Sequence, residues 1–174
     1  MIISKSDARA LALEHRNRIN RLSHSQKSII IIDKIKNLDV YKKASIVAIY
    51  YPIRNEVDLR ELLYDNKTFL FPRTYKNFQM DFIKVDDKTI WERNKFGIFE
   101  PQNGIIINEG IDLMLIPCLA KNNSNLRLGY GAGFYDRFLF KHNVDFKVGV
   151  LMDDLTYNFI GEDFAIKLDL FISN

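Results

Sequence analysis

Three observations predict a single-domain α/β fold of three layers, α/β/α, around a mostly parallel, Rossmann-like sheet. Short continuous apolar runs, such as Ile46-Val47-Ala48-Ile49 and Leu113-Met114-Leu115-Ile116, read as strands buried on both faces. Segments with apolar residues at helical spacing alternate with these runs, the order that covers a parallel sheet on both sides. No internal repeat and no stretch rich in Gly, Pro or Ser divides the 174 residues, so residues 1–174 are expected to form one domain.

Taken in order, Ser4 with Asp7 three residues on marks the start of a first helix. At about 100° per residue, Ala8, Leu11, Ala12, Ile19 and Leu22 share one stripe, with Lys5, Arg9 and Arg16 along its margin. That margin is either a solvated basic edge or a face turned toward a bound polyanion. Ser23 with Gln26 marks a second helix, with Ile29, Ile32, Ile35 and Leu38 as its apolar face. Ser45 to Tyr51 reads as a strand ended by Pro52, and Asn55 as the cap of a short helix from Glu56 to Leu63. Glu56 therefore falls just after a strand, where open α/β sheets place ligand-binding groups, although a carboxylate there also stabilises a helix N-terminus with no ligand. Thr68 to Phe71 and Gln79 to Val85 are further strands, with Pro72-Arg73-Thr74-Tyr75 after the first. Phe96 either stacks on a flat heterocycle or simply packs. Asp112 to Pro117 is a strand closed by proline, and Tyr135, Phe138 and Leu139 recur at helical spacing beyond it. Phe146 to Val150 and Leu170 to Ile172 supply the last strands.

Between that strand and that helix lies Arg127-Leu128-Gly129-Tyr130-Gly131-Ala132-Gly133-Phe134-Tyr135-Asp136-Arg137. Residues without Cβ can turn several backbone N–H groups toward one point, and a helix N-terminus adds partial positive charge there. The product is an anion site, for which phosphate is the usual occupant. Arg127 can bind a phosphate oxygen through two donors, and Asp136 can hold a divalent cation against the phosphates. The same string also fits a flexible turn in which Arg127 and Asp136 only pair with each other. It is not a P-loop, because no Gly-Lys-Ser/Thr follows.

Composition removes other classes. The apolar runs are far shorter than the roughly 20 residues that span a bilayer, and Met1-Ile2-Ile3 leads directly into Ser4-Lys5-Ser6-Asp7, so neither a membrane partner nor a secretory leader is expected. The lone Cys118 fits a reducing, cytoplasmic compartment and reads as a buried thiol rather than a nucleophile. His15, His24 and His142 lack metal-ligand spacing. Asp153-Asp154 is either a second carboxylate source for Mg²⁺ or a solvated loop pair. Net charge is +3, with +6 within residues 1–43 and −3 beyond. A nucleic-acid module built on the first helix would need interleaved exposed aromatics, so no nucleic-acid partner is expected.

The string RLGYGAGFYDRFL resembles the signature of the 5-formyltetrahydrofolate cyclo-ligase (5,10-methenyltetrahydrofolate synthetase) family, R-L/I-G-x-G-x-G-Y-Y-D. Fainter similarity runs from Lys5 to the last strand. It includes Glu56-Val57-Asp58, an implied turn at Pro72-Arg73-Thr74-Tyr75, Met80, and Gly97-Ile98-Phe99-Glu100-Pro101, which is similar to a Gly-Ile-x-Glu-Pro stretch near the pterin pocket. The resemblance implies an ATP- and Mg²⁺-dependent closure of 5-formyltetrahydrofolate to 5,10-methenyltetrahydrofolate, with release of ADP and phosphate. It also implies roles: Lys5, Arg9, Arg127 and the segment Leu128, Gly129, Tyr130, Gly131, Ala132, Gly133, Phe134 and Tyr135 for the nucleotide; Asp136 for Mg²⁺. Arg127 and Asp136 would carry catalysis. Glu56, with Tyr130, Gly131, Ala132, Gly133 and Phe134, would position the folate, and the protein is expected to be monomeric. Arg16 has no counterpart in the pattern.

The chain departs from that pattern in places. Lys121-Asn122 stands where Phe-Asp is common, removing a charge expected to orient Arg127. Ala165 falls on an implied metal-binding aspartate four residues before Asp169, with Asp163 as a nearby substitute. A glutamine and a proline common after the penultimate strand are replaced at about Asp154 and Ile160. An active cyclo-ligase is the leading expectation; the alternative is a non-catalytic nucleotide- or folate-binding member of the same fold.

Overall fold

The computed structural model describes residues 2–161 and 165–174. The chain opens with helices α1 (Lys5–Asn17), α2 (Arg21–Asn37) and α3 (Asp39–Lys43), and continues through strands β1 (Ile46–Ala48), β2 (Thr68–Thr74) and β3 (Met80–Lys84). A hairpin of β4 (Trp91–Arg93) and β5 (Phe99–Pro101) follows, then β6 (Ile111–Pro117), the short pair β7 (Ala120–Lys121) and β8 (Arg127–Leu128), helix α4 (Phe134–Lys141), β9 (Val144–Val150) and β10 (Leu170–Ile172).

Six strands form one sheet in the order β10-β9-β6-β1-β2-β3, parallel throughout except for β3, which runs antiparallel to β2. Alternate residues of one strand feed opposite faces, as the pleat requires. Leu113 and Leu115 of β6 meet Ile31, Ile32 and Ile35 of α2 on one side. Met114 and Ile116 meet Phe138 of α4 on the other. Fully buried isoleucines such as Ile31 and Ile35 each contribute about 2 kcal/mol of burial free energy. From β1 the chain goes outward to β2 and β3, whereas from β6 it goes to β9 and β10 on the opposite side. The boundary between β1 and β6 is therefore the switch point of the sheet, and a crevice at their carboxyl ends is the expected ligand position.

Several local expectations need correction. Ser4 caps α1 as predicted, its hydroxyl accepting from the Asp7 amide at 3.0 Å. The predicted stripe nevertheless runs past the helix, which ends at Asn17; Leu11 and Leu22 are exposed, and only Ala8, Ala12 and Arg16 are buried within it. The two alanines let α1 lie close on Leu119, Ala120 and Leu128 beside the glycine stretch. Asn20, not Ser23, caps α2, because its side-chain oxygen takes the Ser23 amide at 2.9 Å. The docked face of α2 is Ser28, Ile31, Ile32 and Ile35, with Ile29 exposed. Four consecutive isoleucines (Ile29 to Ile32) left that phase undetermined until the sheet selected it.

No helix starts at Glu56. Arg54 and Asn55 take left-handed φ values of 46° and 58°, and a 3-10 turn appears only at Arg60–Tyr64. The Asn55 side chain is used elsewhere: its amide donates to the carbonyls of Arg16 and Ile19, closing the C-terminal end of α1. Residues 72–74 continue β2 rather than turning, since Pro72, Arg73 and Thr74 pair with β3 in register.

Candidate functional site

A cavity of about 470 Å³ opens at that switch point. Its floor comes from the ends of β1 and β6, its sides from the turn carrying Glu56 and from residues 127–137, and its rim from α1 and the β4-β5 hairpin. Lys5, Arg9, Glu56, Arg127, Asp136 and every residue from Leu128 to Tyr135 line it. The structure thus brings all the predicted site residues into one hollow.

Gly131 and Gly133 take φ values of 104° and 71°, so the chain can pass through the left-handed region twice within three residues. Gly133 occupies the N-cap of α4 and supplies no side-chain oxygen to the first helical amides. Among the described residues, none accepts a hydrogen bond from the backbone amides of residues 129–134. Those donors and the positive end of α4 lie on the cavity lining, open to an acceptor from a ligand.

Arg127 is 7 % exposed at its side chain and donates from Nη2 to Asp136 Oδ2 at 2.8 Å. Its Nε is buried with no hydrogen-bond partner among the described residues. Buried donors are normally satisfied, so Arg127, which lines the cavity, is incompletely paired within the described protein. Asp136 is half-committed: Oδ2 takes Arg127, and Oδ1 takes the Ile166 amide at a long 3.4 Å. Arg9 reaches over the glycine stretch, donating from Nε to Gly129 O at 2.9 Å.

Glu56 is 4 % exposed, with Oε2 accepting from the Ile53 amide at 2.9 Å. Burial pushes its carboxyl up to about 7, against the opposing pull of the Ile53 amide, the Arg16 charge and the Tyr130 hydroxyl. Near neutral pH it is therefore divided between acid and carboxylate. Burial also raises the Tyr130 and Tyr135 hydroxyls, so both are neutral donors. Cys118 is buried and its thiol is pushed up to about 12, which makes it inert packing.

Some residues in or beside the cavity were only partly signalled by the sequence. Glu100 is buried in the wall, its Oε1 taking the Thr74 amide at 3.1 Å, the Thr74 hydroxyl at 2.5 Å and the Asn94 side chain at 2.7 Å. Its only signal was the resemblance of the stretch around it. Arg16, on the same helical margin as Lys5 and Arg9, is not a solvated edge but 3 % exposed. Phe96 lines the cavity at 53 % exposure, so it is not core packing.

Other expectations shift. Asn122 does not orient Arg127; its side chain binds Phe159 O and the amides of Ser124 and Leu126, shaping its own turn. Asp153 pairs with Lys27 and His15, and Asp154, still 58 % exposed, pairs with Lys121 at 2.7 Å; neither lines the cavity. Asp169 is held by the Lys147 amide and ammonium. Asp163 lies outside the described residues. Among the described residues, no three His, Cys, Asp or Glu side chains gather as a metal cluster, and no helix is long and apolar enough to cross a membrane.

A profile of the 5-formyltetrahydrofolate cyclo-ligase family matches residues 2–154. The chain is 30% identical to the 5-formyltetrahydrofolate cyclo-ligase of Mycoplasma genitalium over 180 residues, covering 99% of each chain. It is 28% identical to the protein of the same name from Haemophilus influenzae, over 71% of both chains. Among solved structures, the 5,10-methenyltetrahydrofolate synthetase of Aquifex aeolicus superposes with a TM-score of 0.83 at 28% identity, over 97% of this chain and 89% of that one. The Mycoplasma pneumoniae 5,10-methenyltetrahydrofolate synthetase shares the fold, with a TM-score of 0.76 at 24% identity and 98% of each chain covered.

Proposed function

The chain belongs to the 5-formyltetrahydrofolate cyclo-ligase family, and we propose that it closes 5-formyltetrahydrofolate to 5,10-methenyltetrahydrofolate at the expense of ATP. The observation that carries this reading is the orphaned Arg127 Nε beside a row of uncommitted amides. A polyphosphate satisfies both at once. Arg127, Lys5 and Arg9 are assigned to the triphosphate together with the amides of residues 129–134, and Tyr135 supports Arg127, whose guanidinium lies 5.4 Å from its ring centroid.

Mg²⁺ fits this donor set, because it takes one carboxylate with phosphate oxygens and water in its remaining positions. Asp136 would be that carboxylate, and the ion would neutralise charge on the phosphates. Glu56 and the Tyr130–Phe134 segment position the folate. In the reaction, the formyl oxygen attacks the γ-phosphorus and ADP leaves. N10 then attacks the activated carbon and loses its proton, and the formyl oxygen departs within phosphate. No protein nucleophile is required, so positioning and charge neutralisation supply the rate.

Purified protein given 5-formyltetrahydrofolate and ATP-Mg²⁺ should release ADP in step with the methenyl product. Tight binding of both ligands without ADP would instead favour the non-catalytic member, a reading that keeps Ala165 as its motivation.

A further inference from the structure

One buried cation at this site has no part in the reaction as assigned above. Arg16 lies in the last turn of α1 and is 3 % exposed. A buried guanidinium is costly unless its donors are met. Its Nη2 donates to Cys118 O at 2.6 Å and its Nη1 to the Tyr130 hydroxyl at 3.1 Å. Among the described residues, no carboxylate forms an ion pair with it.

The backbone of the same residue does a second job. Arg16 O accepts from Asn55 Nδ2 at 3.2 Å. Asn55 directly precedes Glu56 and sits with Arg54 in the left-handed region, a conformation that an asparagine tolerates but that something must hold. Three segments therefore converge on one residue: the end of β6 through Cys118, the glycine stretch through Tyr130, and the Glu56 turn through Asn55. A hydroxyl that accepts from a guanidinium keeps its own proton to donate, and the Glu56 carboxyl is its neighbour. The Arg54 guanidinium closes the arrangement, 5.7 Å from the Tyr130 ring centroid.

We propose that Arg16 is a positioning residue for the folate, holding the Tyr130 hydroxyl against Glu56 from one wall of the cavity and the Glu56 turn from the other. The proposal rests on the cyclo-ligase reading of the cavity. A guanidinium that only propped up the fold would affect both substrates alike. One that sets Tyr130 against Glu56 affects the folate far more than the nucleotide.

The test measures equilibrium binding of 5-formyltetrahydrofolate, alongside KM for each substrate, in Tyr130→Phe, Arg16→Lys, Arg16→Met and the Arg16→Met/Tyr130→Phe double variant. Tyr130→Phe keeps the ring and the backbone amide and loses only the hydroxyl. It should weaken folate binding about tenfold, the worth of one charge-assisted hydrogen bond, and leave KM for ATP within about twofold. Arg16→Lys should recover part of what Arg16→Met loses, and the double variant should be no worse than Arg16→Met alone. Should Arg16→Met fail to fold, Tyr130→Phe and Arg16→Lys still decide. Unchanged folate binding in Tyr130→Phe overturns the proposal, and so do equal changes in both KM values. If the wild-type protein binds the folate but releases no ADP, only the catalytic reading fails, and the binding comparison still judges Arg16. No folate binding by the wild type overturns both.

Discussion

Arg9 on the first helix donates from Nε to the carbonyl oxygen of Gly129, 2.9 Å away in space and 120 residues later in sequence. That bond fixes which end of α1 faces the glycine stretch. It also places the guanidinium 3.4 Å from where a Cβ on Gly131 would stand, so α1 lies directly against the glycine stretch.

Removing the guanidinium therefore has a directional consequence. Arg9→Gln should raise KM for ATP roughly tenfold or more, because a charge-assisted contact worth about 1.5–3 kcal/mol is lost. Binding of 5-formyltetrahydrofolate alone should change far less, since Arg9 points at the loop rather than at Glu56. Steady-state kinetics with each substrate varied in turn provides the check.

Arg127 should be less forgiving. Its guanidinium holds Asp136 with one nitrogen while another stays unsatisfied, a division that only a planar fork can make. Arg127→Ala strips a phosphate contact and takes from the Asp136 carboxylate its guanidinium partner, so kcat should fall at least about a hundredfold. Arg127→Lys restores charge but not the fork and should recover only part of that loss. ADP release measures both, and turnover at the wild-type level in Arg127→Ala would remove Arg127 from the site.

Backbone geometry gives a separate prediction at Gly133. With φ at +71°, an alanine there costs about 1–2 kcal/mol, and its Cβ would lie 2.7 Å from Arg137 Nη1, a flexible end that can yield. Gly97 has a similar φ of +77° with open space around it. Both alanine variants should therefore lower Tm by a few degrees. Only Gly133→Ala should also weaken nucleotide binding, because only there does the residue cap the helix at the proposed phosphate site. Calorimetry paired with ATP titration separates the two effects.

The sheet was legible because runs such as Leu113 to Ile116 have one structural solution, buried on both faces, and the glycine string picked out residues that line the cavity. Helix phase was less legible. Four isoleucines in a row fit several faces of α2, and only docking against the sheet chose Ile31, Ile32 and Ile35. Asn55 misled for a different reason. Its amide could cap a following helix or close a preceding one, and the choice depends on α1 arriving beside it from 39 residues earlier. Arg16 shows the same limit: a basic residue on a helix margin reads as solvated until Cys118 and Tyr130 are brought against it.

Glu56 carries the clearest pH signature. Its carboxyl titrates near 7 when folded, against an unfolded value of about 4.5, because burial disfavours the anion. Between those values the unfolded chain has released a proton that the native protein keeps, so stability falls as pH rises. The contribution is fully present below about 4.5 and is lost by about pH 7–8, amounting to about 3 kcal/mol for a shift of this size. Glu56→Gln keeps a polar group on the Ile53 amide but cannot ionise. Its stability relative to wild type should therefore improve from pH 5 to pH 8, by up to that amount, while folate binding weakens at both. Urea unfolding of the two proteins at pH 5 and pH 8 measures the difference; parallel curves would mean that Glu56 is ionised throughout and that its burial is relieved by a cation in the folded protein.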